Sequence, residues 1–221
     1  GLGDVYKRQG IKREELFITT KLWVEDACEE GAKRAIDRSL ELLNLDYIDL
    51  YLIHQPVGDI WGAWREITRS YEEGTLKAIG VSNFAPDRLM DFALQQRVKP
   101  MINQIEINPF CQQKKALPLI KELGMLAQAW APFAEGKNQL FTHPVLSAIA
   151  KKHHKTIAQV VLRMVIQLGA CAISKTLSPQ RMCENLNIYD FELDYDDMML
   201  LASLDTCLLY TSDAADDLIG V

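Results

Sequence analysis

Tyr47-Ile48-Asp49-Leu50-Tyr51-Leu52-Ile53-His54-Gln55-Pro56 is the stretch that decides the fold. Six of its first seven residues are apolar or aromatic, and Pro56 stops it before a lone helix can form. Such a run reads as a strand buried on both faces, the type found in parallel sheets. Asp49 is the misfit inside it. The strand ends on His54, and in barrels of alternating strands and helices the C-terminal strand ends carry the chemistry. Taken alone, His54 also suits a satisfied core histidine.

Working outward, 16–20 is β-branched and aromatic and delivers Lys21 to its end. The run 76–81 leads into Ser82-Asn83-Phe84, 101–107 carries Gln104 and Glu106, 125–130 ends on Trp130, and 170–174 ends on Ser174. Helical spacing covers 25–43, 60–73, 86–95, 114–123, 144–153, 156–168, 179–186 and 195–204. Gly74, Gly124 and Gly169 read as helix stops, and Pro179 as a first helical residue. Six strands alternating with helices imply one α/β domain with a parallel sheet and right-handed crossovers. No Gly-x-Gly-x-x-Gly follows any strand, which counts against a doubly wound dinucleotide fold.

At 221 residues and 48% apolar, the chain has enough material for a packed core. A net charge of −6 argues against nucleic acid and anionic membranes as partners. No run is long and apolar enough to span a membrane and no leader pattern is visible, so a cytoplasmic location is expected. The five cysteines (Cys28, Cys111, Cys171, Cys183, Cys207) show no Cys-x-x-Cys pair and no metal spacing with His. They fit a reducing compartment, and no metal is expected.

The two ends read differently. Stretches 1–9 and 207–221 back-translate, in opposite orientations, into a transposase adapter used in sequencing libraries. They are expected to be adapter-derived and are set aside from fold reasoning, which leaves 10–206.

Within 10–206 five motifs stand in register: Thr20-Lys21-Leu22-Trp23, Leu52-Ile53-His54-Gln55-Pro56, Ala78-Ile79-Gly80-Val81-Ser82-Asn83-Phe84, Asn103-Gln104-Ile105-Glu106, and Ser174-Lys175-Thr176 through Arg181-Met182-Cys183-Glu184-Asn185. In order and spacing they resemble the aldo-keto reductases, and the loop 134–140 with Glu135 and Lys137 resembles bacterial members. The resemblance implies a (β/α)8 TIM barrel that reduces aldehydes and ketones with NADPH. Only six of the eight strands are expected here, with the first two βα units missing. The family's catalytic Tyr and Asp lie in that upstream part, so the fragment is expected to be inactive as written.

By the same resemblance Lys21 and His54 are catalytic. Hydride arriving at a carbonyl carbon leaves negative charge on oxygen, which an acid must neutralise. A tyrosine serves only if an ammonium such as Lys21 stabilises its phenolate, and His54 orients the substrate oxygen. A lysine at a strand end also implies a carboxylate beside it. Ser82, Asn83 and Gln104 are expected to hold the nicotinamide carboxamide, and Trp130 to stack on its ring. Lys175, Thr176 and Arg181 are expected to clamp the adenosine 2′-phosphate, with Glu184 and Asn185 at the adenine amino group. Ser174 departs from the proline usual there. Trp23, Trp61 and Phe133 suit a substrate pocket, or equally helix packing. His143, His153 and His154 read as surface residues. The partner is a small carbonyl substrate, and the intact enzyme is expected to be monomeric. Two alternatives stay open: a non-catalytic nucleotide-binding barrel, and a barrel lyase using Lys21 as a Schiff base.

Overall fold

In the computed structural model residues 9–207 are described, so the adapter-like stretches 1–9 and 207–221 lie, apart from Gln9 and Cys207, outside the described residues. Six strands form one sheet in chain order: β1 (Thr19–Leu22), β2 (Leu50–Ile53), β3 (Ile79–Ser82), β4 (Ile102–Glu106), β5 (Leu126–Trp130) and β6 (Ala170–Ala172). The α-helices among the described residues are α1 (Glu29–Leu43), α2 (Ile60–Glu72), α3 (Pro86–Leu94), α4 (Ala116–Glu122), α5 (Pro144–Lys152), α6 (Ile157–Gln167), α7 (Pro179–Leu186) and α8 (Tyr195–Ala202). This is the alternation read from the sequence. The chain divides into two units, Gly1–Asn103 and Gln104–Val221, with the boundary inside β4.

In the first unit β2 and β3 are buried at every position, as a two-sided apolar run requires. β1 pairs parallel with β2, Lys21 level with Leu52, and β2 pairs parallel with β3, Leu52 level with Gly80. Leu50 and Leu52 point to one face and pack with Ile102, Ala78 and Met101. Gly80 is required there, because a Cβ would stand 2.6 Å from the Ile102 carbonyl oxygen and 2.8 Å from Leu52. α1 and α2 pack together through small and branched residues: Gly31, Ala32, Ala35 and Ile36 on one helix, Ile60, Ala63 and Ile67 on the other. Each such large aliphatic side chain contributes roughly 1.5–3 kcal/mol by leaving water. Behind them Trp64 is buried, packs on Phe92 at 5.4 Å, and donates its indole N–H to the Val98 carbonyl at 2.9 Å.

Asp49, the misfit of the opening strand, has a structural task. Its Oδ2 accepts from the Arg13 guanidinium at 2.6 Å and from the Ile18 N–H at 2.8 Å. Arg13 lies 3.9 Å over the Tyr47 ring and donates to the Tyr47 carbonyl at 3.0 Å. The carboxylate therefore ties the entering chain to the foot of β2. This also corrects the extent of the first strand. Ile18 spends its N–H on Asp49 and packs with Leu45, Leu40 and Leu16, so β1 runs Thr19–Leu22 rather than 16–20, and Lys21 lies within it.

In the second unit β5 pairs parallel with β6, Gln128 level with Cys171. α6 opens with a capping box between Thr156 and Gln159, and α8 with one between Asp194 and Asp197. His153 is not the solvated helix end that its lysine neighbours suggested. Its Nε2 lies 2.6 Å from Asp197 Oδ2, Lys152 donates to the other carboxylate oxygen at 2.8 Å, and Asp197 is only 2% exposed. Lys155 pairs with Asp190 at 2.6 Å. These contacts fasten the end of α5 to the segment 190–197. Cys111 and Cys207 are joined through their sulfurs, which departs from the unpaired cysteines expected of a reducing compartment; the free cysteines among the described residues are Cys28, Cys171 and Cys183.

Candidate active site

In the first unit the predicted residues come together at three successive strand ends. Lys21 is the third residue of β1, His54 follows the last residue of β2, and Ser82 closes β3. The His54 N–H donates to the Leu22 carbonyl at 3.1 Å, which continues the ladder one step and fixes the height of the imidazole. Asn83 adopts a left-handed backbone (φ 62°), which turns its amide back under the strands. Its Nδ2 donates to the His54 carbonyl at 3.1 Å and lies 3.2 Å from Ser82 Oγ. Trp23 stands edge-on to the His54 ring at 4.9 Å and is 49% exposed, so one side of that pair faces outward.

The electrostatics of this group are those of a cation beside an imidazole. Burial holds the Lys21 ammonium below its ordinary pKa of 10.5. Burial likewise lowers the His54 imidazole from 6.5, and the Lys21 charge lowers it further. His54 is therefore neutral near pH 7, with one ring N–H to donate. The carboxylate expected beside Lys21 is not found among its ion pairs in the described residues. Trp61 lies elsewhere. It packs at 5.9 Å from Phe92 on α3, under the Arg88 guanidinium at 4.4 Å.

The second unit carries the remaining predicted residues. Gln104 is 3% exposed, and its Nε2 donates to Gln128 Oε1 at 2.7 Å. That bond fixes the amide orientation of Gln104. The sequence did not mark Gln128, although period-two alternation places it on the same face of β5 as Trp130. Trp130 ends β5 and lines a cavity of about 240 Å3 with Glu106, Asn108, Glu135 and Lys137. Lys137 pairs with Glu135 at 2.6 Å, and that hydrogen bond raises the ammonium and lowers the carboxyl. Phe133 stacks obliquely on Phe141 at 5.8 Å.

Past β6, Lys175 and Arg181 are exposed and flank the start of α7. Ser178 caps that helix, accepting from the Arg181 N–H at 3.4 Å, and Thr176 Oγ1 accepts from the Ser178 N–H at 3.1 Å. Two cations, a hydroxyl and a helix N-terminus of eight residues suit a phosphate dianion. Asn185 Nδ2 donates to Ser174 Oγ at 3.2 Å, which leaves its Oδ1 as an acceptor beside Glu184. The Ser174 departure thus acquires a role in holding α7. Among the described residues no group of three or more His, Cys, Asp or Glu could hold a metal ion, and no helix is long and apolar enough to cross a membrane.

Comparison with known proteins adds a lineage. The Aldo/keto reductase family matches residues 2–206. Glyoxal reductase of Bacillus subtilis is 44% identical over 199 residues, which span 90% of this chain and 71% of that protein. A crystal structure of an aldo/keto reductase from Brucella melitensis superposes with a TM-score of 0.86 at 38% identity, over 92% of this chain and 79% of the other. A Bombyx mori aldo-keto reductase solved in complex with NADP gives a TM-score of 0.86 at 30% identity, over 98% and 77% of the two chains.

Proposed function

The chain belongs to the aldo/keto reductase family, and from that premise we propose that it derives from an NADPH-linked reductase of small aldehydes and dicarbonyls. The observation that carries this is the first-unit cluster: a neutral imidazole and a partly buried ammonium at adjacent strand ends, with Asn83 holding the His54 backbone. The glyoxal reductase relative and the neighbour solved with NADP support the substrate class and the cofactor.

NADPH, when bound, supplies the hydride that reaches the carbonyl carbon. The carbonyl π pair then moves onto oxygen, which needs donors and finally a proton. His54 donates its ring N–H to that oxygen, and its neutral state keeps the hydrogen bond directional. Lys21 places positive charge where an acidic hydroxyl beside it loses its proton more readily. In the first unit Ser82 and Asn83 offer a hydroxyl and an amide suited to a carboxamide; in the second Gln104 offers another amide and Trp130 an indole face suited to a nicotinamide ring. Lys175, Thr176 and Arg181 bind the 2′-phosphate, with Glu184 and Asn185 at the adenine. No tyrosine acid is assigned within 10–206. The cofactor part of the reading is separable from the proton transfer, and a carbonyl-dependent loss of NADPH absorbance measures the latter.

The cofactor reading is tested by titrating the chain with NADPH and NADH and following fluorescence. NADPH should bind about tenfold tighter, the worth of one charge-assisted contact. Arg181→Met should erase most of that ratio, and equal affinity of the unaltered chain for both would defeat the reading. One observation favours a second chemistry, since a partly buried lysine with a lowered pKa also suits a Schiff base. Borohydride with glyoxal should then label Lys21 ahead of the exposed lysines, and uniform labelling would remove that alternative.

A further inference from the structure

α6 carries three polar side chains on one stripe, Gln159, Arg163 and Gln167, four residues apart. All three end on the backbone of 184–193. Gln159 Nε2 donates to the Glu184 carbonyl at 3.2 Å and to the Asn187 carbonyl at 2.9 Å. Arg163 donates to the Ile188 carbonyl at 3.3 Å. Gln167 donates to the Leu193 carbonyl at 2.9 Å and accepts from the Leu193 N–H at 2.8 Å.

Gln159 differs from the other two. It is 6% exposed, and its Oε1 accepts from the Thr156 N–H at 3.0 Å while both amide hydrogens face carbonyls of the other segment. One buried amide thus closes the start of α6 and grips the last turn of α7. A buried amide with every group satisfied sits in a single orientation, and moving it leaves carbonyls unpaired. Glu184 and Asn185 lie in the turn it grips. Lys175 and Arg181 lie at the other end of α7, capped separately by Ser178.

We propose that Gln159 is a positioning residue for the purine end of the cofactor site: it sets the last turn of α7, from which Glu184 and Asn185 meet the exocyclic amino group of adenine. This rests on the NADPH reading above. It assigns base discrimination to a side chain that does not touch the base, and it separates that discrimination from recognition of the 2′-phosphate.

The experiment uses the full chain and three probes: adenosine 2′,5′-bisphosphate, its inosine counterpart, and AMP, each titrated by calorimetry. Gln159→Glu keeps an acceptor for the Thr156 N–H but loses both donors. It should lower the adenine-over-inosine preference by roughly fivefold, the worth of one hydrogen bond, while the preference for the bisphosphate over AMP stays unchanged. Gln159→Leu should lose the same base preference should the buried carboxylate prevent folding. Gln167 bonds the segment 184–193 only at Leu193, so Gln167→Leu should retain it. A wild-type base preference in both Gln159 variants overturns the proposal. So does a parallel fall of both preferences, which would mark general loosening. If the unaltered chain binds none of the three probes, the NADPH reading itself fails, and that failure is visible before any variant is made.

Discussion

Among the described residues Lys21, at a strand mouth of the first unit, has no carboxylate partner, whereas the buried Asp197 of the second unit meets both Lys152 and His153. In the first, burial disfavours the charged forms of both Lys21 and His54, and the Lys21 ammonium adds to the effect on His54. In the second, Asp197 is more deeply buried, yet Lys152 and His153 meet its two oxygens at 2.8 and 2.6 Å. Asp194 is held down to about 2 by the hydrogen bond from Lys152 and by the Asp197 N–H. Unrelieved groups at a strand mouth are poised for proton and charge chemistry, whereas relieved ones fasten helices. The contrast separates the acid–base residues from an equally ionic cluster whose task is to hold α5 against α8.

The largest test of that contrast removes one charge from each unit. Asp197→Ala leaves Lys152 and His153 facing a buried gap and should lower stability by about 2 kcal/mol in urea unfolding. Lys21→Met removes a partly buried ammonium that has no carboxylate among the described residues, and should leave stability unchanged or raise it. Equal losses in both variants would mean that Lys21 is paired after all, and the distinction between the units would go.

Much of the first unit could be read in the residues beforehand. Two-sided apolar runs name β2 and β3, and His54, Ser82 and Asn83 follow directly at their ends. The boundary of β1 could not, because the N–H of Ile18 is taken by Asp49, a contact across 31 residues that local pattern does not carry. In the second unit the start of α7 was legible from Pro179. The roles of His153, Gln128 and Gln159 were not. Each is polar and bonds to a segment distant in sequence, so composition nearby suggests a solvated surface.

A second, smaller test uses acid. Asp194 has a folded-state pKa below its ordinary 3.8, so its contribution is complete above that value and is lost as pH falls toward about 2. His54 works in another window. Its folded pKa lies below 6.5, so the unfolded chain takes up a proton first, and stability falls as pH drops through 6.5 and levels off below the folded value. Hydrogen exchange along α5 and α8 should therefore quicken only under strong acid, while β2 should begin to loosen near pH 6. Loosening of both over a single pH range would erase the two windows.

The smallest and sharpest effect is the His54 titration itself. Proton or nitrogen resonances of the imidazole should give a midpoint below 6.5, because burial and the Lys21 ammonium both disfavour the imidazolium. Lys21→Met deletes the second of these causes and leaves most of the first, so the midpoint should rise yet remain below 6.5. Adding salt to the unaltered chain should move it in the same direction by less, since screening weakens the repulsion from Lys21 and not the effect of burial. If Lys21→Met leaves the midpoint where it was, the two side chains do not share a strand mouth. His54 would then be a core histidine, shifted by burial alone, and the first unit would hold no more chemistry than the second.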